Sequence, residues 1–204
     1  MLEASNLDCL RGGRTLFRGL SFSLQGGELL RIAGANGSGK TTLLKILCGL
    51  LEPDTGEVRW QGTPIRQLRE DYSRQLVYLG HAPAVKDDLS AAENLSIACT
   101  LAGRTASPQQ AREALESYGL AAGGVAVRRL SQGQRRRAAL ARLLLSADAP
   151  LWLLDEPFSA LDAAATRFTE QLIASHVAAG GAAIYTTHQE ANIGAAVLRV
   201  VELG

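Results

Sequence analysis

The sequence predicts an α/β domain, residues 1–204, whose strand-and-helix core is interrupted by a helical insert. Three observations carry this reading. Short apolar runs alternate with helix-period segments over residues 1–82. A glycine-rich turn ending in Gly-Lys-Thr joins one of those runs to a helix. Strand character then gives way to helices over residues 83–148 and returns over residues 149–204. The core is therefore assigned to 1–82 and 149–204, and the helical subdomain to 83–148.

Each element follows from local chemistry. Residues 21–24 alternate with period two, and residues 28–33 form a largely apolar run that stops at Gly34. Residues 40–50 carry Leu43, Leu44, Ile46 and Leu47 at helical spacing, with Gly49 and Pro53 to end the helix. Asp54, Thr55 and Gly56 read as a turn before a strand over 57–60, and residues 75–79 read as another strand. In the insert, Ser107 is a good N-cap and Pro108 suits the first helical position. Ala111, Ala114, Leu115 and Tyr118 then share one face before Gly119. A second helix is expected over 134–147. Residues 151–154, Leu-Trp-Leu-Leu, suit a strand covered on both faces. An alanine-rich helix over 162–179 leads to a last strand over 182–187.

Composition narrows the function. The 204 residues are 47% hydrophobic and 20% charged, with a net charge of +1. That balance creates no field to gather nucleic acid, so no nucleic-acid partner is expected. The most apolar region, 138–154, is interrupted by Arg142 and Asp148, too soon for a membrane-spanning helix. The N-terminus lacks a basic start followed by an apolar segment, so no signal peptide is read there. Cys9, Cys48 and Cys99 are scattered and odd in number, the usage of reduced, mostly buried thiols. A membrane role would therefore have to come through a partner.

The glycine-rich turn is the sharpest signal. Gly34, Ala35, Asn36, Gly37, Ser38, Gly39, Lys40 and Thr41 fit G-x-x-x-x-G-K-[ST] between a strand and a helix. Glycines let the backbone wrap an anion, and the helix N-terminus adds partial positive charge. Lys40 can then reach β- and γ-phosphates, the Thr41 hydroxyl can ligate Mg²⁺, and Thr42 can add a phosphate hydrogen bond. The apolar run 151–154 ends in Asp155 and Glu156, which would stand beside that turn. Asp155 suits the surroundings of Mg²⁺, and Glu156 suits a base that polarises an attacking water.

Further motifs add to this. Leu130-Ser-Gln-Gly-Gln134 precedes a helix and resembles the LSGGQ signature of ATP-binding-cassette (ABC) ATPases, with Gln132 in place of the first glycine. Ser159-Ala-Leu-Asp162 resembles that family's D-loop, and Thr187-His188 its switch histidine. The resemblance implies a P-loop NTPase with a RecA-like mixed sheet, N-terminal antiparallel strands and an inserted helical subdomain. It further implies that ATP and Mg²⁺ are bound by two copies arranged head to tail. Ser131, Gly133 and Gln134 would face the γ-phosphate held by the other copy. His188 would contact the γ-phosphate and hold Glu156 and water in line. His81 stands where the family has its Q-loop glutamine, which touches Mg²⁺ or the water. Arg11 stands where an aromatic residue stacks on adenine, a role a guanidinium can also fill. His176, mid-helix, is read as a core residue. Arg135, Arg136 and Arg137 are read as a solvated face or an interface.

Within the family, the chain looks similar to ATP-binding subunits of bacterial cytochrome c maturation haem exporters. The residues behind this are Arg14-Thr-Leu-Phe17, Val58-Arg-Trp-Gln-Gly62, Gly80-His81-Ala-Pro83, Leu130 to Arg136 and Thr186-Thr-His-Gln189, within a short chain. That length carries neither a second cassette nor a fused membrane domain. The resemblance implies two integral membrane subunits as partners, a haem chaperone indirectly, and a peripheral place on the cytoplasmic face of the inner membrane. The sequence shows no haem ligand of its own, such as CxxCH. Three other readings stay open: another small ABC exporter, a non-transport module that regulates a partner by dimerising, and a small-molecule kinase.

Overall fold

Apolar side chains on alternate faces of short central strands divide the molecule into layers. The computed structural model describes residues 1–120, 124–188, 191–195 and 197–204; Gln189, quoted above in the 186–189 segment, lies outside them. In chain order the elements are β1 (Leu2–Arg11), β2 (Arg14–Leu24), β3 (Leu29–Gly34), α1 (Lys40–Leu47), β4 (Thr55–Trp60) and β5 (Thr63–Pro64). Next come α2 (Ile65–Leu68), α3 (Glu70–Arg74), β6 (Leu76–Leu79), α4 (Ala91–Leu101), α5 (Pro108–Ser117) and α6 (Gln132–Leu140). The chain finishes with β7 (Leu151–Leu154), α7 (Ala163–Ala178), β8 (Ala182–Thr186) and β9 (Leu198–Leu203).

The expected mixture of strand directions is split between two sheets. One is antiparallel in the order β2-β1-β4-β5, and the other is parallel in the order β6-β7-β8-β3-β9. All four residues of β7 are buried, as its composition requires. Leu151 and Leu153 face the antiparallel sheet and α1, while Trp152 and Leu154 face the helical layer. In β8, Ala182 and Ile184 face one core and Ala183 and Tyr185 the other. Burying each such large apolar side chain stabilises the fold by about 1.5–3 kcal/mol.

Several boundaries differ from the sequence reading. β1 was not read from the sequence at all: Leu2 and Ala4 are buried, then Leu7 and Cys9, because a bulge at Asn6 (φ 50°) shifts the alternation by one. Thr55 and Gly56 belong to β4 rather than to a turn. Gly56 runs so close to the carbonyls of Ser5 and Asn6 that a side chain could not stand there. The helix expected over 134–147 starts earlier, at Gln132, because Ser131 caps it, and it tightens into a 3₁₀ turn over Ala141–Leu145. α1 stops at Leu47. The N–H of Gly49 bonds to Ile46 O and that of Leu50 to Lys45 O, closing the helix around a left-handed glycine (φ 78°). α4, α5 and α7 end in the same way at Gly103, Gly119 and Gly180. Among the described residues no helix is long and apolar enough to cross a membrane.

Candidate active site

The parallel sheet brings the C-terminal ends of β3, β6, β7 and β8 to one edge, where ligands of such sheets characteristically bind. An open cleft of about 500 Å³ lies there. It is lined by Asn36, Gly37, Gly39, Lys40, Thr41, Thr42, His81, Asp155, Glu156 and His188, with Leu16 from β2. Residues from four separate motifs thus meet in one place. Leu16 was not foreseen, because nothing in the alternation of β2 says that it packs on the turn at Gly39.

The glycine turn has the backbone that its sequence demands. At Gly34 (φ 143°) a Cβ would lie 2.5 Å from Leu203 O and 2.6 Å from Ser38 Oγ, so a side chain has no room. Gly39 (φ 104°) is the N-cap of α1 and offers no side-chain cap, which leaves the first-turn N–H groups to an anion at the cleft. Lys40 is buried, and its Nζ donates to the carbonyls of Gly34 (2.8 Å) and Ala35 (3.0 Å). Those bonds hold the ammonium at the cleft wall.

The acid pair is tied to this turn across 114 residues of sequence. Asp155 is 1% exposed and accepts from Thr41 Oγ1 at 2.7 Å and from Thr186 Oγ1 at 2.8 Å. Thr186 Oγ1 also accepts the backbone N–H of Glu156 at 2.9 Å. The sequence reading missed Thr186 as a site residue. Its signal was a threonine at the end of a strand otherwise built of Ala, Ile and Tyr. Glu156 itself has φ 51°, a left-handed conformation that is uncommon for residues other than glycine. Its Oε2 accepts from the His188 N–H at 3.3 Å, and its Oε1 lies 3.5 Å from His188 Nε2. Oε1 is buried with no hydrogen-bond partner among the described residues. A buried acceptor left unpaired is costly, so this oxygen is disposed to take a proton donor such as water.

Ser131 caps α6 in a reciprocal box: its Oγ accepts the Gln134 N–H (3.2 Å) while Gln134 Oε1 accepts the Ser131 N–H (2.8 Å). Neither Ser131, Gly133 nor Gln134 lines the cleft of its own chain. Of the three arginines that follow, Arg135 and Arg137 are half-buried and only Arg136 departs fully from a solvated face. Arg135 Nη1 donates to Asp87 at 3.0 Å and Arg137 Nη1 to the carbonyl of Tyr118 at 3.2 Å. Arg136 is 3% exposed, with its guanidinium among the carbonyls of Gly80, His81, Asp155 and Glu156. Burial lowers its affinity for the proton, and the charges of Asp155 and Glu156 oppose that shift. The sequence could not separate these three, because each points to a different neighbour.

Arg11 is not brought into the cleft. Its guanidinium bonds to the carbonyls of Leu10 (2.7 Å) and Glu52 (3.0 Å) and to Asp54 (3.3 Å). His176 is a core residue, stacked on Trp152 with centroids 3.8 Å apart. His81 is exposed at the cleft.

Hard oxygen donors at Thr41 and Asp155 suit Mg²⁺, which typically takes one or two protein oxygens plus phosphate oxygens and water. Among the described residues no group of three or more His, Cys, Asp or Glu could hold a metal ion by itself. The residues fit an ion that arrives with a polyphosphate.

Comparison with known proteins agrees with this geometry. The ABC transporter family matches residues 17–159. The chain is 51% identical over 205 residues to the cytochrome c biogenesis ATP-binding export protein CcmA of Dechloromonas aromatica (strain RCB), covering all of both chains. It is 54% identical to the protein of the same name from Aromatoleum aromaticum (strain DSM 19018 / LMG 30748 / EbN1), covering 94% of this chain and 90% of that one. Among solved structures, a putative ABC transporter ATP-binding protein from Pyrococcus furiosus superposes with a TM-score of 0.84 at 26% identity, covering 99% of this chain and 96% of that one. The chain belongs to the ABC transporter family as one of its ATP-binding subunits, and is similar in particular to the cytochrome c biogenesis ATP-binding export proteins.

Proposed function

We propose that this ATPase subunit serves cytochrome c biogenesis, turning over Mg-ATP to drive a membrane complex that handles haem. The observation that carries the reading is the meeting of Thr41, Asp155, Glu156 and His188 in one cleft beside the uncapped N-terminus of α1. Residues 34–42 would hold the phosphates through backbone N–H groups, with Lys40 on the β- and γ-phosphates. Mg²⁺, held by Thr41 with Asp155 behind it, would neutralise charge developing on the phosphoryl oxygens. Glu156 would orient water through Oε1, which has no hydrogen-bond partner among the described residues, and His188, 3.5 Å from it, would keep that carboxylate aligned and contact the γ-phosphate. Imidazole is a poor ligand for a hard cation, so we assign His81 to phosphate or water rather than to the metal.

The signature residues support a dimer. Ser131, Gly133 and Gln134 form a capped helix N-terminus, yet line no part of their own chain's cleft. A second copy, placed head to tail, would present them to the γ-phosphate. Closure would then move the subdomain of residues 83–148 and the His81 loop against two integral membrane subunits on the cytoplasmic face of the inner membrane. Turnover would release a haem-loaded chaperone. The test is hydrolysis by the purified chain at increasing protein concentration, with and without co-expressed membrane subunits. A specific rate that rises with concentration and recovery with membranes only when those subunits are present support the reading. Full activity as a strict monomer overturns it.

A further inference from the structure

We propose that Arg136 is a positioning residue for hydrolysis, which keeps the His81 and Glu156 loops in register with the helix that Ser131 caps. The inference rests on the ATPase reading above. Arg136 is in α6 and only 3% exposed. Its Nη1 donates to the carbonyl of Gly80 at 2.8 Å, with that of His81 at 3.4 Å, and its Nη2 donates to the carbonyls of Asp155 and Glu156, both at 2.7 Å. These carbonyls belong to the two loops that leave β6 and β7, one carrying His81 and the other Glu156.

A planar guanidinium has donors in fixed directions and can hold two backbone segments at once, which a point charge cannot. Filling the space would not require a cation here. A buried charge carries a desolvation cost, and Arg136 Nε finds no hydrogen-bond partner among the described residues. What does require support is Glu156, whose positive φ persists only where its surroundings enforce it. The first turn of α6 is itself pinned: at Gly133 a Cβ would lie 2.6 Å from Ala160 O. A shift of that helix end therefore shifts Arg136, and with it the peptide planes that aim His81 and Glu156.

The experiment compares steady-state ATP hydrolysis, ATP-analogue binding and thermal unfolding for the full chain and for Arg136→Lys and Arg136→Gln, each alone and combined with Glu156→Gln. Lysine retains the charge but cannot span both loops. For Arg136→Lys the expected result is a loss of about tenfold or more in kcat with KM within about threefold of the parent. In the Glu156→Gln background, where no carboxylate remains to be aimed, adding Arg136→Lys should produce little further loss. Parental kcat in Arg136→Lys overturns the inference. So does the full loss repeated in the double variant, or a loss of kcat that only tracks lost folding and binding. If Arg136→Gln fails to fold, the lysine variant decides. Absence of hydrolysis by the parent chain would instead overturn the ATPase reading itself.

Discussion

Thr186 Oγ1 donates to Asp155 Oδ1 at 2.8 Å while accepting the backbone N–H of Glu156 at 2.9 Å, so one hydroxyl at the end of β8 ties down both acids that follow β7. Thr186→Val keeps the shape and removes both bonds. A buried carboxylate oxygen and a backbone N–H would lose their partner, and the fold should lose about 1–3 kcal/mol. Chemical denaturation measures this, and hydrolysis should fall with it. Unchanged stability would mean that the hydroxyl does not tie the two strands.

Glu156→Gln removes the charge from the carboxyl while leaving Lys40 and the glycine turn intact. Hydrolysis should slow by about 10²-fold or more, with ATP binding retained. A binding assay and a phosphate-release assay on the same preparation check this together.

Gly181 lies against the Cε1 and Nε2 atoms of His176, whose ring is stacked on Trp152 and cannot swing away freely. Gly181→Ala should destabilise the chain by about 1–3 kcal/mol through overpacking. His176→Ala makes room, so the double variant should lose less than the sum of the two single changes. Strict additivity in urea midpoints would count against the contact.

Burial holds His176 below the usual histidine pKa. The folded value is then lower than the unfolded one, about 6.5, so above that pH the ring is neutral in both states and contributes no pH dependence. Below it the unfolded chain gains a proton that the folded chain resists. Stability should therefore fall as the pH drops below about 6.5, by at most about 1.4 kcal/mol per unit, until the folded value is reached. His176→Gln should remove this part of the slope, measured as urea midpoints between about pH 7.5 and 5.

The residues that needed only local rules were legible in advance. Ser107 and Pro108 start α5, Gly49 and Gly119 end helices, and residues 151–154 form a strand apolar on both faces. Each depends on neighbours within one helical turn or one pleat. The glycine turn was legible for the same reason, since its backbone angles are demanded residue by residue. β1 was harder, because its bulge at Asn6 reverses the alternation halfway along, and β9 has exposed Leu198 and Val200 where a core pattern would need polar residues.

What the sequence determined by itself is the set of groups able to grip phosphate and activate water, because turn geometry, capping and strand burial are short-range. Only the tertiary structure decided that Thr186 serves both acids, that Arg11 is spent on Asp54 and two carbonyls, and that Arg136 is a buried clasp whereas Arg135 and Arg137 bond elsewhere. Apart from the adjacent Leu10 carbonyl, those partners lie many residues away along the chain. A hydroxyl or guanidinium has the same composition wherever it points, and its role is set by which distant carbonyl or carboxylate the fold leaves within about 3 Å of it.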